Sequence, residues 1–139
     1  LDNNYQRALA FDYGLKQIGA AIGNRQFGTT EALPILRARD GIPNWEEIEG
    51  LISEWQPDLI LVGLPLNMDN SRSEMAERAD KFSRRLHGRF GLPVELVDER
   101  LSSQEAKSRL KDQGHRGDYN KNPADSVAAQ LILETWFSN

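Results

Sequence analysis

Residues 9–23 read LAFDYGLKQIGAAIG, and the position of Asp12 within them decides the fold. An apolar run from Leu9 to Phe11 stops on a charged carboxylate, Gly14 follows, and the chain returns at once to an apolar, glycine-spaced run through Ile18 and Ile22. Two such runs separated by a few residues predict a β-hairpin, with the first strand ending at Asp12. An aspartate at a strand end is either turn chemistry, its carboxylate bonding nearby backbone, or a group held at the edge of a sheet to do chemical work.

Outward from that hairpin, "TTEALPIL" (29–36) predicts a third strand, with Pro34 marking an edge or a bulge. The period then changes. In "PNWEEIEGLISEWQPD" (43–58), Trp45, Ile48, Leu51, Ile52 and Trp55 recur at helical spacing. Pro43 and Asn44 suit its start, Glu46 and Glu47 suit the positive end of its dipole, and Pro57 ends it. "DLILVGLP" (58–65) is a short continuous apolar run, the mark of a strand covered on both faces. "SRSEMAERADKFSRRLHGRFG" (71–91) predicts a long helix with Met75, Ala79, Phe82 and Leu86 inward and Gly91 as its cap. "LPVELVDE" (92–99) is a further strand. Ser102 with Glu105 forms a capping signature for a helix in "SSQEAKSRLKDQG", and "PADSVAAQLILETWF" (123–137) predicts the last helix. Three early strands form an antiparallel meander, and two later ones join it in parallel by right-handed crossovers. The expected fold is therefore α/β, a mixed five-stranded sheet with helices on both faces, in one domain over residues 1–139.

The totals fit that size. The chain has 139 residues, 39% hydrophobic and 27% charged, enough for a real core without staples. It has no cysteine and only His87 and His115, so a disulfide framework and thiolate chemistry are excluded. No apolar stretch approaches a membrane span, and "LDNNYQ" lacks the regions of a secretory signal, so a cytoplasmic location is expected. The net charge of −4 opposes bulk attraction to nucleic acid. Its distribution is uneven: residues 72–121 hold 12 Lys/Arg against 9 Asp/Glu, net +3, and the remainder holds 5 against 12, net −7. A local basic patch is what a phosphate backbone needs, although solvated helix faces give the same count.

Three acidic positions sit at element ends. Asp12 closes the first strand, Asp98 and Glu99 close the last, and Asp125 lies in the first turn of the final helix. If the first and last strands run parallel, Asp12 and Glu99 reach the same carboxyl edge, where the crevice of an α/β sheet lies. The final helix, with small Ala124, Ala128 and Ala129, can approach closely and add Asp125 from above. Three carboxylates together need a proton or a cation among them. Mg²⁺ or Mn²⁺ suits all-oxygen surroundings, and two such ions about 3.5–4 Å apart serve phosphodiester hydrolysis without a Ser, Cys or His nucleophile. Taken singly, each acid has an ordinary reading: a turn residue at Asp12, a surface pair with Arg100 at Asp98 or Glu99, a dipole-favoured first-turn acid at Asp125. Which of Asp98 and Glu99 faces the site is open, because adjacent strand residues point to opposite faces.

The stretches "AFDYGLKQIGAAIG", "LILVGLPLNMD", "DERLSS" and "NKNPADSVAAQLIL", in that order from about residue 7 to residue 137, resemble the YqgF/RuvX family. Its members are described as Holliday junction resolvases and as nucleases for the precursor of small-subunit ribosomal RNA. The resemblance implies an RNase H-like fold and divalent-metal cleavage of phosphodiesters, with Mg²⁺ or Mn²⁺ as cofactor and RNA precursor or branched DNA as partner. Carried over by position, the family's acidic triad falls on Asp12, Glu99 and Asp125, which selects Glu99 over Asp98. The family's "DxGTKxIG" appears here as "DYGLKQIG", with Leu15 in place of Thr, so the hydroxyl contact near the phosphate that the resemblance implies has no hydroxyl at this position. Lys16, Arg100 and Lys121 are candidate phosphate contacts, as are Arg78, Lys81 and Arg85, which share a helix face. Gly14, Gly63 and Pro65 shape the backbone, and Asn67 either orders its loop or touches substrate. Processing of pre-16S rRNA suits a monomer; junction resolution needs two active sites and so a dimer. Two other classes compete: a phosphate-loop ATPase of the actin and sugar-kinase type, for which 139 residues leave no second jaw, and a non-catalytic nucleic-acid adaptor on the same fold.

Overall fold

Ala8, Leu9, Ala10 and Phe11 are all fully buried, so the strand that carries Asp12 lies at the centre of the sheet and is covered on both faces. The computed structural model describes residues 5–65, 67, 69, 71–101 and 124–138. Within them the strands are β1 (Arg7–Asp12), β2 (Gln17–Asn24), β3 (Thr29–Arg39), β4 (Ile42–Pro43), β5 (Leu59–Leu64) and β6 (Val94–Asp98). The helices are α1 (Trp45–Trp55), α2 (Glu74–Phe90) and α3 (Ala124–Ser138). The sheet order is β4-β3-β2-β1-β5-β6. β1 to β4 pair antiparallel in succession, and β1, β5 and β6 run parallel. The helix predicted from Ser102 and Glu105 lies outside the described residues, as does Lys121. None of the described helices is long and apolar enough to cross a membrane.

The sheet is six-stranded rather than five-stranded. The extra strand, β4, is two residues long and pairs only with Ala38 and Arg39. It exists because Asp40 (φ 49°) and Gly41 (φ 79°) both take left-handed backbone, which folds the chain sharply back on β3. A Cβ at Gly41 would collide with the Tyr13 hydroxyl, so glycine is needed there twice over. The β3–β4 turn is sewn to the β1–β2 turn: Gly41 N donates to Leu15 O at 2.8 Å, Ala38 N to Lys16 O at 2.9 Å, and Tyr13 Oη to Gly41 O at 3.1 Å. Pro34 sits at an irregularity, since Ile18 pairs with Leu36 but Ala20 pairs with Leu33, leaving one extra residue on β3.

α1 begins where the sequence predicts, and α2 begins at Glu74, three residues after the predicted start, for visible reasons. Asn44 Oδ1 accepts from Glu46 N at 3.0 Å and Ser73 Oγ accepts from Ala76 N at 3.2 Å. Gly91, at φ 71°, closes α2. On one face of the sheet, Leu9, Phe11, Ile60 and Val62 pack with Ile48 of α1 and Ala79, Phe82 and Leu86 of α2. The other face is built of smaller residues: Ala8, Ala10 and Ala21 lie with Leu59 and Leu61 against Ala129, Ile132, Leu133 and Trp136 of α3. This layer lets α3 come close. It is also anchored by Ser126, buried, whose hydroxyl donates to Leu33 O at 2.8 Å.

The closeness sets a test. A Cβ at Gly23 would lie 2.9 Å from Leu133 Cδ2 and 3.1 Å from Phe137 Cζ. Gly23→Val is therefore expected to destabilise the fold by about 1–3 kcal/mol through overpacking. The measurement is the urea midpoint, which should fall with the slope of the transition unchanged.

Candidate active site

The parallel run of β1, β5 and β6 brings their carboxyl ends to one edge. Asp12 is the last residue of β1 and faces α3, continuing the alternation of Ala8 and Ala10. β6 ends at Asp98, and Glu99 opens a short 3₁₀ turn (Glu99–Leu101), so Glu99 lies just beyond the strand rather than in it. The cause is local: Asp98 Oδ1 accepts from Arg100 N at 2.9 Å, a turn closed by an aspartate on its own backbone. The same carboxylate takes both Nε (3.0 Å) and Nη2 (2.7 Å) of Arg100. Asp98 is thus occupied by Arg100, which holds its carboxyl below the usual range. Glu99 turns the other way.

Asp12 and Glu99 line one cavity of about 260 Å³ beside Val97, with Ala128, Ile132 and Thr135 of α3 as its roof. The two carboxyl groups are within hydrogen-bonding reach of each other. Burial pushes the Glu99 carboxyl above its ordinary range; the hydrogen bond with Asp12 acts the other way, and the charge of Asp98 adds to the rise. Gly63 makes the room. A Cβ there would stand 2.5 Å from Glu99 Oε1 and 2.8 Å from Ile132 Cδ1, so only a glycine on β5 lets Glu99 lie down toward Asp12. Among the described residues no third His, Asp or Glu completes a cluster with them. Asp125 enters through the helix backbone alone: it stands in the first turn of α3, and its side chain lies outside the described residues. At seven residues before Ile132 and three before Ala128, its position belongs to the face of α3 that roofs the cavity.

The other predicted residues divide. Arg78, Lys81 and Arg85 share a second cleft, of about 290 Å³, with Tyr13, Asp40 and Ile42. Arg78 is paired there with Asp40 at 3.2 Å and with Glu74 at 3.6 Å. Lys16 is exposed in the β1–β2 turn. Arg100 is not an open cation: besides Asp98 it donates from Nη1 to the backbone oxygen of Asn67 at 2.8 Å. Asn67 in turn donates from Nδ2 to Ser71 Oγ at 2.9 Å and from its backbone to Ser71 O at 3.0 Å. Arg100 therefore ties the turn that carries Glu99 to the loop after β5. A Cβ on Gly14 would meet the Gln17 carbonyl, so this glycine lets the first turn close. The sequence reading missed Tyr13, Asp40 and Ile42 as cleft residues. Only Tyr13 had a usable signal, the alternation that carries Leu9 and Phe11 onto the α2 face.

The shift at Glu99 has a defined sign. Its folded carboxyl keeps a proton to higher pH than the unfolded chain does, so raising the pH from its ordinary 4.5 through that window costs folded-state stability. Below the window both states are protonated and the cost is absent. Glu99→Gln, which cannot ionise, is expected to raise the thermal midpoint of the metal-free protein at about pH 7 and to change it little at about pH 4. Thermal melts across that range in the presence of a chelator check it.

A family model described as "RuvX: Holliday junction resolvase" matches residues 6–139. A relative from Chromohalobacter salexigens, named "Putative pre-16S rRNA nuclease", is 56% identical over 131 residues, which are 94% of this chain and 88% of the relative. A relative of the same name from Saccharophagus degradans is 53% identical over 132 residues, 95% and 93% of the two chains. Among solved structures, T. thermophilus RuvC in complex with a Holliday junction substrate superposes with a TM-score of 0.62 at 14% identity, covering 95% of this chain and 93% of RuvC. The Fowlpox virus resolvase bound to junction DNA gives 0.56 at 14% identity, covering 96% and 97%. At that identity the likeness shows the fold, an RNase H-like α/β fold.

Proposed function

The chain belongs to the RuvX family, and on that premise we propose that it is a divalent-metal-dependent endonuclease acting at the 5′ end of pre-16S rRNA during ribosome biogenesis. The observation that carries this reading is the desolvated pairing of Asp12 and Glu99 at the carboxyl edge of the sheet. Asp125 completes the acidic set, from a position on the roofing face of α3. The donor set is all oxygen and suits Mg²⁺ or Mn²⁺, in a pair. When bound, these ions supply the positive charge that lets the acids ionise side by side and that eases attack of water on the phosphodiester.

The chain's own residues do the rest. Asp12 and Glu99 supply fixed oxygens, and Gly63 and the Asp98–Arg100 turn hold Glu99 in position. Ile132 and Leu131 form an apolar wall, which keeps the pair out of bulk water and strengthens every charge interaction in the cavity. Lys16, Lys121 and the basic face of α2 attract the phosphate backbone, and their contribution falls as salt rises. Gly14, Pro65 and Asn67 shape the loops around the edge.

A second reading, Holliday junction resolution, has support in the description of the family model and in the likeness to RuvC. That likeness rests on 14% identity, whereas the relatives named for the ribosomal precursor are more than half identical over nearly the whole chain. Two symmetric cuts need two sites, hence a dimer; a single cut does not.

Asp12→Asn is expected to lower Mg²⁺- or Mn²⁺-dependent cleavage of a pre-16S rRNA fragment by about 100-fold or more while RNA binding is retained. Cleavage should also stop when the ions are chelated. Equal activity in the variant would place the reaction elsewhere. Preferential cutting of a four-way DNA junction over the RNA fragment would select the second reading.

A further inference from the structure

The cleft on the α2 side differs in kind from the acidic cavity. Its walls are Tyr13, Phe82 and Ile42 on the apolar side and Arg78, Lys81 and Arg85 on the charged side. Arg78 is committed to Asp40 and Glu74. Among the described residues no acid stands within ion-pair distance of Lys81 or Arg85. Ile42 is 52% exposed, one of two large apolar side chains left in water among the described residues. It lies on β4, the edge strand that the Asp40–Gly41 turn folds back against β3. A second hollow continues past Ile42 and Arg85 to Trp45 and Arg89, whose guanidinium lies 4.3 Å above the Trp45 ring. Uncommitted cations beside apolar and aromatic surface are what an unpaired nucleotide needs, phosphate on one wall and base on the other.

The cleft also has a fixed relation to the acids. Asp12 and Tyr13 are consecutive, about 3.8 Å apart at Cα. Asp12 faces α3 and the acidic cavity; Tyr13 faces α2, in ring contact with Phe82 at 5.0 Å. A polynucleotide that has one phosphate at the acids and a neighbouring nucleotide in the cleft must bend over the end of β1. A single strand can make that bend. A duplex, stiff over about 150 base pairs, cannot.

We propose that this cleft is a subsite for an unpaired nucleotide next to the scissile bond, with Lys81 and Arg85 on its phosphate and Ile42 and Tyr13 against its base. The assignment rests on the nuclease reading for its place along the substrate, but not for its chemistry. The enzyme thereby takes single-stranded nucleic acid, or a single-stranded tail, across the sheet edge.

Binding without divalent ions separates the two. Fluorescence anisotropy would be read with a labelled single-stranded oligoribonucleotide and with a blunt duplex of the same length. Lys81→Gln/Arg85→Gln is expected to weaken single-strand binding about tenfold and to flatten its log–log salt slope by about 1.4, the value for two lost phosphate contacts. The loss on the blunt duplex should be much smaller. Ile42→Ser should weaken single-strand binding severalfold with the slope unchanged, because it removes base contact and no charge. Unchanged single-strand affinity and slope in the double variant, or an equal loss on duplex and single strand, would overturn the subsite. All three side chains are exposed, so folding should persist, and circular dichroism checks it. Should the double variant not fold, each single lysine or arginine variant carries about half the slope change. Loss of binding in the variants of a protein that cuts nothing would sink the nuclease reading and leave the subsite standing.

Discussion

Asp12 and Glu99 lie within hydrogen-bonding reach in a cavity partly withdrawn from water. Ionised together they repel, and burial strips away the solvent that would otherwise soften that repulsion. The arrangement persists only if the backbone leaves the two groups no other place to be. Three devices supply that constraint. The parallel pairing of β1 with β5 and of β5 with β6 fixes the separation of the strand ends. Gly63 leaves the space between them empty. The Asp98–Arg100 turn rotates the chain just after β6, so that one acid is spent on the arginine and its neighbour is presented to the cavity.

The small-residue face of the sheet follows from the same constraint. A helix that roofs a cavity at a sheet edge must lie close along its length, or water floods the gap. Ala8, Ala10, Ala21 and Gly23 leave room for Ala129, Leu133 and Phe137, and the fit is tight enough that a single methyl group at Gly23 would meet two side chains. The opposite face shows no such economy of volume: Leu9, Phe11, Ile60 and Val62 meet Phe82 and Leu86 in an ordinary large-residue core. One face of the sheet is packed for stability and the other for proximity.

Much of this was legible in the sequence because it rests on short-range rules. Alternation and turn chemistry located β1 and β2, helical spacing located α1 and α2, and Asn44 and Gly91 marked two of their ends, whereas the Ser73 cap of α2 went unread. Acids at strand termini pointed to the cavity once the strands were taken as parallel. What escaped depended on contacts between segments far apart in the chain. The two-residue β4 has no periodicity to detect, and it forms because Asp40 and Gly41 reverse the chain against Tyr13 and Leu15. Arg100 looked like an open phosphate contact, yet its partners are Asp98, two residues back, and the Asn67 carbonyl, thirty-three residues back. No composition or spacing rule separates a cation on the surface from one pinned to a distant carbonyl. The choice between Asp98 and Glu99 likewise turned on a 3₁₀ turn rather than on the strand alternation that posed it.

The charge distribution acquires a location from the fold. A chain of net charge −4 repels a polyanion at long range, and its acidic cavity does so most strongly when no cation is bound. On the proposed reading, a polynucleotide is guided in by the local basic excess, net +3 over residues 72–121. The described part of that segment includes α2, whose Lys81 and Arg85 stand on the far side of the same sheet edge from Asp12. Held on that side, the lysine and arginine do not neutralise the carboxylates of the cavity. Had the cations been placed in the cavity, they would have paired with Asp12 and Glu99 and taken the oxygens that the site presents. Arg100, which comes near, is already bound to Asp98. Opposite charges thus lie on opposite sides of β1, and in the proposed reaction the substrate meets both.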